Sequence, residues 1–120
     1  MRFMMIRRAD NVSEAGVKAS PEMFAAMDQY ASEMSKAGIL VTGEGLKPSA
    51  QGTRIRFTNG TPTVIDGPFT ETKELIAGYF IIDVKSKEEA IEWTKRWPAI
   101  AADANVELEL RPFYEAADFE

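Results

Sequence analysis

The stretch from Asp66 to Glu74 carries the densest ionisable chemistry of the sequence. It reads Asp-Gly-Pro-Phe-Thr-Glu-Thr-Lys-Glu and brings carboxylates, an ammonium group and hydroxyls close together. One interpretation is a polar pocket mouth, in which Asp66 is a general base or hydrogen-bond acceptor and Glu71, Lys73 or Glu74 orients a ligand. The other is an Asx-type turn followed by a solvated charged loop. The spacing of the residues leaves both interpretations open.

The dipeptide Gly67-Pro68 restricts the backbone of this stretch. Proline fixes φ at about −65°, and glycine adopts conformations that are closed to other residues. The pair is therefore expected to hold Asp66 at the end of a strand with little freedom. Phe69 is expected to anchor the loop, and it is a further candidate ligand contact.

The composition narrows the chemistry that these residues can perform. The sequence contains no histidine and no cysteine. This removes the usual general base, the Ser-His and Cys-His nucleophile pairs, and the common zinc and haem ligands. The acidic residues lack the regular oxygen-ligand spacing of a dedicated Ca²⁺ or Mg²⁺ site, and no phosphate-binding glycine motif is present. The sequence therefore predicts neither a metal nor a cofactor.

Charge and hydropathy limit the expected partners and location. The net charge is −5 and the sequence pI is about 4.8, whereas nucleic acids and anionic membranes attract an excess of positive charge. We expect neither as a partner. The apolar run near the N-terminus is shorter than the core of a signal peptide, so a cytoplasmic protein is predicted. A length of 120 residues predicts one domain over residues 1–120.

Two early strands carry further candidate ligand contacts. The first is predicted at residues 2–8, with apolar side chains on both faces, and Arg7 near its end could hold a ligand anion. The second is predicted at residues 39–46, where a glycine stands on each side of Glu44, another candidate contact. Such glycines indicate either the close approach of a ligand or backbone, or a β-bulge. The two glycines are Gly43 and Gly45.

The segment between these strands is predicted to hold a loop at residues 9–19 and then a helix. Ser20 is a suitable N-cap that is followed by proline, and Gly38 is a suitable end. The spacing of the apolar residues favours packing against a sheet, although methionine also suits an adaptable ligand surface. The inner face is predicted to comprise Met23, Met27, Tyr30 and Met34, widened by Phe24 and Ala31.

A β-hairpin is predicted in the middle of the chain. Its strands are residues 53–58 and 61–65, joined by Asn59-Gly60, because both turn residues accept the positive φ of a type I′ turn. Pro62 confines the returning strand to an edge. The inward-facing side chains are expected to be Thr53, Ile55 and Phe57.

The last third of the chain is predicted to contain two strands and a helix. The most apolar segment, residues 75–84, is predicted to be a central strand. Ser86 and Glu89 have the spacing of a capping box for a helix over residues 87–97, which Pro98 ends. The remainder is predicted to be a loop at 99–104, a strand at 105–113 and an acidic tail at 115–120.

The order of the predicted elements is β-α-β-β-β-β-α-β. If the central hairpin is treated as an insertion, the order becomes β-α-β-β-α-β, which is the ferredoxin-like α+β plan. Two helices cover only one face of such a sheet, while two of its strands carry apolar residues on both faces. A homodimer that packs sheet to sheet is therefore predicted.

The same residues resemble the signature of the DGPF group of YCII-related proteins. The resemblance rests first on Asp66 to Glu74 and on the Ala77-Gly78-Tyr79-Phe80 segment that follows. It covers almost the whole chain and implies a ferredoxin-like fold of the dimeric α/β-barrel type. The further matching segments are Met4-Met5-Ile6, Gly43-Glu44-Gly45-Leu46, Ala90-Ile91-Glu92-Trp93 and Glu109-Leu110-Arg111-Pro112.

The resemblance implies less about activity. Members of the DGPF group are often encoded beside extracytoplasmic-function sigma factors, which favours a sensing or regulatory role. The wider group resembles muconolactone isomerase and includes a dehydrochlorinase that acts on a chlorinated hydroquinone. Its proposed His-Asp pair cannot be carried over, because this chain has no histidine. Trp97-Pro98 also stands where relatives often have Cys-Pro, and residues 99–104 lack the usual glycines.

Three hypotheses about function follow. The first is a small dimeric ligand-binding or regulatory protein with a pocket near Asp66. The second is a cofactor-free lyase or isomerase acting on a small cyclic or aromatic acid, with Asp66 or Glu71 as base and Lys73 or Arg7 holding the anion. The third is an assembly module in which the signature loop only builds the dimer.

Overall fold

The computed structural model describes residues 1–98 and 105–120, so the loop predicted at 99–104 lies outside the described residues. Short 3₁₀ turns occur at Ser49–Gln51, Thr72–Glu74 and Ala116–Phe119. The helices and strands, in chain order, are β1 (Arg2–Arg8), α1 (Asn11–Glu14), α2 (Pro21–Lys36), β2 (Leu40–Gly45), β3 (Thr53–Thr58), β4 (Thr61–Asp66), β5 (Ile76–Asp83), α3 (Lys87–Lys95) and β6 (Leu108–Pro112).

The main sheet has the strand order β2-β5-β1-β6, and every neighbouring pair is antiparallel. With the β3-β4 hairpin set aside, this is the order of a ferredoxin-like sheet, in which each helix connects two parallel strands across an intervening antiparallel one. The predicted α+β class is confirmed, and so is the central place of β5. The hairpin forms a separate two-stranded sheet.

The hydrophobic core lies between the main sheet and the helices α2 and α3. Alternation along β1 turns Phe3 and Met5 toward the helices, and Ile82 of β5 joins them. Met5, Met34 and Ile82 are fully buried. The core thus covers one face of the sheet and fixes which side chains of β1, β2 and β5 point toward α2. Its other buried members are Tyr30, Ile39, Val84 and Ala90.

The helix ends follow the sequence signals. The Ser20 hydroxyl accepts a hydrogen bond from the Met23 N–H at 3.1 Å, and Gly38 has a φ of +76° just after α2. At α3 the Ser86 hydroxyl caps as predicted, but the Glu89 carboxylate accepts from the Lys85 N–H at 3.0 Å and so does not close the predicted box.

In the described ranges, every helix is too short or too polar to span a bilayer.

Some local predictions were wrong. Residues 9–19 contain α1, because the Asp10 side chain accepts from the Ser13 N–H at 2.8 Å and the Ser13 hydroxyl accepts from the Asp10 N–H at 2.9 Å. This reciprocal pair provides the first turn of a helix with its cap. The helix predicted at 87–97 ends at Lys95, and the last strand is shorter than 105–113.

The inward orientation predicted for one face of the hairpin was also wrong. Ile55, Phe57 and Val64 are 60%, 69% and 66% exposed. The register pairs Ile55 with Val64 and Phe57 with Pro62, so these apolar side chains share one face of the ribbon. Because the ribbon does not join the main sheet, that face lies outside the core. The turn itself is as predicted, with positive φ at Asn59 and Gly60.

Candidate functional site

A cavity of about 680 Å³ lies between the N-terminal half of α2 and strands β1, β2 and β5. We call it the α2 cavity. Its volume is in the range of small-molecule sites, roughly 300–1,000 Å³. One side is lined by the apolar side chains Met23, Phe24 and Met27 of α2. Of the methionine-rich face predicted from the sequence, Met34 packs in the core, and Met27 lines the cavity as well as packing against the core.

The sheet side of the cavity is formed by one row of residues across three strands. Arg7 of β1 pairs with Gly78 of β5, and Gly78 pairs with Gly45 of β2. Paired residues of neighbouring strands point to the same face, and this face is the one that meets α2. The row thus presents one cation followed by two residues without side chains. We call Gly78 and Gly45 the glycine strip.

Arg7 is held in place at one end of this row. Its side chain is only 15% exposed, and its guanidinium Nη1 donates to the Arg8 carbonyl at 3.0 Å. Its Nη2 lies 3.5 Å from the Asp10 carboxylate. The Ser13 N–H, and after it the charge of Arg7, hold the pKa of the Asp10 carboxyl below its usual value. The Arg7 charge is therefore fixed and mostly removed from solvent.

An aromatic cluster borders the cavity, which two of its members, Phe80 and Trp97, line. Phe80, Tyr30 and Trp97 meet edge to face in every pair, with ring centroids 5.8–5.9 Å apart. The Tyr30 hydroxyl donates to the Trp93 carbonyl at 2.6 Å and thereby ties α2 to α3. Burial raises the pKa of Tyr30 far above its ordinary value, so its hydroxyl stays protonated at neutral pH. The wall is rigid and apolar.

A second cavity of about 590 Å³ lies beside the signature stretch, and we call it the loop cavity. It is lined by Phe69 and Glu74 from that stretch, together with residues of α1, the β2-β3 connection and β3. Here the polar groups bond to one another. The Ser49 N–H and hydroxyl both donate to the Glu14 carboxylate, and the Phe69 N–H donates to the Ser49 hydroxyl at 3.0 Å. The Arg54 guanidinium lies 3.9 Å above the Phe69 ring.

The candidate site residues from the sequence are divided among three places. Arg7 and Glu44 line the α2 cavity, although the register sets Glu44 beside Tyr79 on the opposite face of the sheet. Two others, Phe69 and Glu74, line the loop cavity. The remaining candidates, Asp66, Glu71 and Lys73, are exposed and line neither of these cavities.

Asp66 lies at the end of β4, where its carboxylate accepts a hydrogen bond from the Thr53 hydroxyl at 3.2 Å. The adjacent Gly67 makes the tightest approach of the signature stretch. A Cβ added there would lie 1.8 Å from the Ser49 carbonyl oxygen. Gly67 is therefore required for close packing, and its φ is not positive. The peptide bond between Gly67 and Pro68 is cis.

Sequence reasoning missed several residues of the α2 cavity. Gly78 was not singled out, although a glycine inside an apolar strand is itself a signal of close approach. Phe24 and Trp97 were assigned to packing faces, which helical periodicity cannot distinguish from a cavity wall. Among residues 1–98 and 105–120, the acidic side chains form no group of three or more that could hold a metal ion.

The model of the YCII-related domain family matches residues 1–114. The chain belongs to this family. The expectation drawn from the signature stretch is thereby confirmed for the family. This YCII-related chain is also similar to an uncharacterised protein of Rhizobium meliloti strain 1021, with 37% identity over 60 residues. That match spans 50% of this chain and 48% of the length of its relative.

Among solved structures, this YCII-related domain resembles the 5-chloro-2-hydroxyhydroquinone dehydrochlorinase TftG of Burkholderia phenoliruptrix AC1100. That structure is a complex with 2,5-dihydroxybenzoquinone. The TM-score is 0.54 at 12% identity, and the match covers 98% of each chain. At this identity the likeness establishes a shared fold, in agreement with the α+β topology of the main sheet.

Proposed function

We propose that this YCII-related protein binds a small cyclic or aromatic acid in the α2 cavity and acts as a ligand-binding or regulatory protein. The observation that carries the proposal is Arg7, a guanidinium with a 15% exposed side chain that lines a largely apolar cavity. A guanidinium removed from water forms strong, directional hydrogen bonds to a carboxylate. The apolar walls would receive the ring of the same ligand.

Binding is placed before catalysis because of where the candidate bases lie. A general base must be within hydrogen-bond reach of the proton that it removes. Asp66 and Glu71 are exposed and outside the α2 cavity. A ligand held at Arg7 would therefore contact neither carboxylate directly.

A cofactor-free lyase or isomerase acting on a small cyclic or aromatic acid is the second candidate. The likeness to a dehydrochlorinase whose structure holds a ring compound supports it. In this version the site lies at the signature stretch, where Lys73 holds the anion and Asp66 or Glu71 is the base, since Arg7 lines the other cavity. Asp66→Asn tests the role of the base, since an unchanged fold with unchanged binding and turnover would exclude it. The link to an extracytoplasmic-function sigma factor stays a prediction of the family resemblance.

The predicted homodimer remains part of the proposal, with two apolar surfaces in its support. The face of the main sheet turned away from the helices carries Met4 paired with Ile81, and Ile6 paired with Tyr79. The hairpin exposes a second apolar face. An isolated two-stranded ribbon is only marginally stable in water, so a second copy is the partner proposed to cover both. Light scattering at micromolar concentration tests this, and a monomer would exclude it.

The binding proposal is tested by calorimetric titration of the purified chain with benzoate, cyclohexanecarboxylate and neutral benzamide. We expect at least one acid to bind and benzamide to bind at least about tenfold more weakly, because charge-assisted hydrogen bonds are worth about 1.5–3 kcal/mol. A bound acid should also raise the melting temperature by mass action. If neither acid binds, or benzamide binds as well as they do, the proposal is wrong.

A further inference from the structure

Gly45 differs from every other glycine of the chain. All eight glycines lie in the described ranges, and each of the other seven has either a positive φ or a neighbouring atom within 3.2 Å of a Cβ built upon it. At Gly45 the φ is not positive, and a Cβ would meet nothing within 4 Å. Neither backbone conformation nor packing within the chain requires glycine at this position.

Two neighbouring glycines of the same sheet, Gly43 and Gly78, are by contrast required by contacts within the chain. A Cβ on Gly43 would lie 2.2 Å from the Phe80 ring, so that glycine is needed to let the ring lie across β2. A Cβ on Gly78 would lie 3.0 Å from the Glu44 carbonyl oxygen, so that glycine is needed for close strand approach. Glycine inside a strand weakens it, because it adds no packing and costs more entropy on folding. Within the single chain, the glycine at position 45 therefore destabilises the strand although no contact requires it.

The space in front of Gly45 is the α2 cavity, which it lines. It shares the cavity face with Gly78, its direct partner in the register, and Gly78 in turn pairs with Arg7. From Arg7 to Gly45 the row spans two strand spacings, about 10 Å in all. The glycine strip is thus a flat piece of backbone that begins beside a guanidinium.

We infer that Gly45 is a specificity-determining residue of the α2 cavity, and that the glycine strip admits the flat ring of a single-ring aromatic anion whose charged group lies at Arg7. This inference rests on the proposed function and adds the shape of the ligand to it. A planar ring can lie against exposed peptide groups, whereas a saturated ring of the same size is thicker. Phe80 and Trp97 line the same cavity and offer aromatic rings against which a ligand ring can pack.

The test compares benzoate with cyclohexanecarboxylate, which has the same charge and ring size but is not planar. Calorimetric affinities are measured for the wild type, Gly45→Ala, Gly45→Val and Thr42→Val. The last variant is the matched control, because it places valine in the same strand on the opposite face. Circular dichroism and melting temperatures show whether each variant folds, and we expect the Gly45 variants to melt no lower than the wild type.

We expect the wild type to bind benzoate at least about tenfold more tightly than cyclohexanecarboxylate, the size of effect that one extra group produces in an apolar pocket. Benzoate affinity should fall progressively through Gly45→Ala to Gly45→Val, by about tenfold or more at valine, and stay unchanged in Thr42→Val. Should valine destabilise the fold, Gly45→Ala decides, since its methyl group meets no neighbour.

The inference is overturned if Gly45→Val binds benzoate like the wild type, or if the wild type prefers the saturated acid. A folded Gly45→Val that binds normally but loses the dimer also overturns it, because the open position then serves a second copy and not a ligand. If the wild type binds neither acid, the proposed function fails and this inference fails with it. Those results are distinguishable, since only the last one leaves the wild type without a ligand.

Discussion

The loop cavity and the α2 cavity differ in the residues that line them. The loop cavity lies beside the stretch with the densest ionisable chemistry, and in its wall Glu14, Ser49 and the backbone of Phe69 are hydrogen-bonded to one another. The α2 cavity is lined mostly by apolar surface, and Gly43, Gly45 and Gly78 expose backbone on its sheet side. A polar group already satisfied by the protein gains little from a ligand, whereas an apolar wall gains from the exclusion of water when a ligand ring covers it.

The comparison teaches that the density of charged residues in a sequence is a poor guide to a binding site. In the signature stretch, carboxylates and hydroxyls border a tightly fitted turn, where the Gly67 Cα lies against the Ser49 carbonyl. In the α2 cavity, where we propose the site, Gly78 and Gly45 leave backbone uncovered in the same row as Arg7. The following experiments test this difference between the two cavities.

The largest expected effect is from Gly67→Ala. Its Cβ would lie 1.8 Å from the Ser49 carbonyl oxygen, which is backbone and cannot move aside cheaply. We expect the free energy of unfolding to fall by about 3 kcal/mol, at the upper end for overpacking. Urea denaturation measures it, with Gly45→Ala as the matched control that should lose nothing. A change below about 0.5 kcal/mol would mean that the turn is not rigid.

Removing the charge of Arg7 from the α2 cavity, which Lys18 also lines, should have the next largest effect. Arg7→Met keeps an unbranched apolar stem but not the charged guanidinium, so benzoate affinity should fall by about 10- to 100-fold. Arg54→Met removes a cation from the loop cavity instead and should leave that affinity unchanged. Calorimetric titration compares the two. An equal loss in both variants would show that the whole field of the protein, and not the Arg7 site, attracts the acid.

A smaller effect on stability is expected from Ser49→Ala. The Ser49 hydroxyl donates to one Glu14 carboxylate oxygen and accepts from the Phe69 N–H, so its removal leaves that oxygen and that N–H without this partner, while the Ser49 N–H still donates to Glu14. We expect a loss of about 1–3 kcal/mol in the free energy of unfolding with no change in benzoate affinity. Denaturation and titration of the same preparation check both halves. Weaker binding in a folded variant would show that the two cavities are coupled.

The smallest effect is a pH dependence at α1, the short helix that contributes to both cavities. The pKa of Asp10 is lowered in the fold, chiefly by the Ser13 N–H, so its ionised form stabilises the native state. That stabilisation is fully present when the pH is above the usual carboxyl pKa of 3.8, and it is lost as the pH falls through the lowered pKa of Asp10. Asp10→Asn should therefore lose less stability between neutral and acid pH than the wild type. A variant with the same acid sensitivity would contradict this origin.

Local signals explain what could be predicted of the fold. Ser20, Gly38 and the Asn59-Gly60 turn act through their own backbone conformations or neighbouring N–H groups, so their effects can be read from adjacent residues. Which face of the hairpin meets the core could not be predicted from adjacent residues. Alternation in β3 places Ile55 and Phe57 on one face, but whether that face meets the core depends on where the whole ribbon lies.

The candidate site likewise combines features that can be predicted from the sequence with features that depend on the fold. The amino-acid sequence alone shows that no histidine or cysteine chemistry is available, that Arg7 lies near the end of the predicted first strand, and that glycines flank Glu44. Only the tertiary structure decided that Arg7, Gly78 and Gly45 form one row. Their alignment depends on the register of three strands that are distant in the sequence, and register is set by packing of the core against α2 and α3, not by any residue of the row.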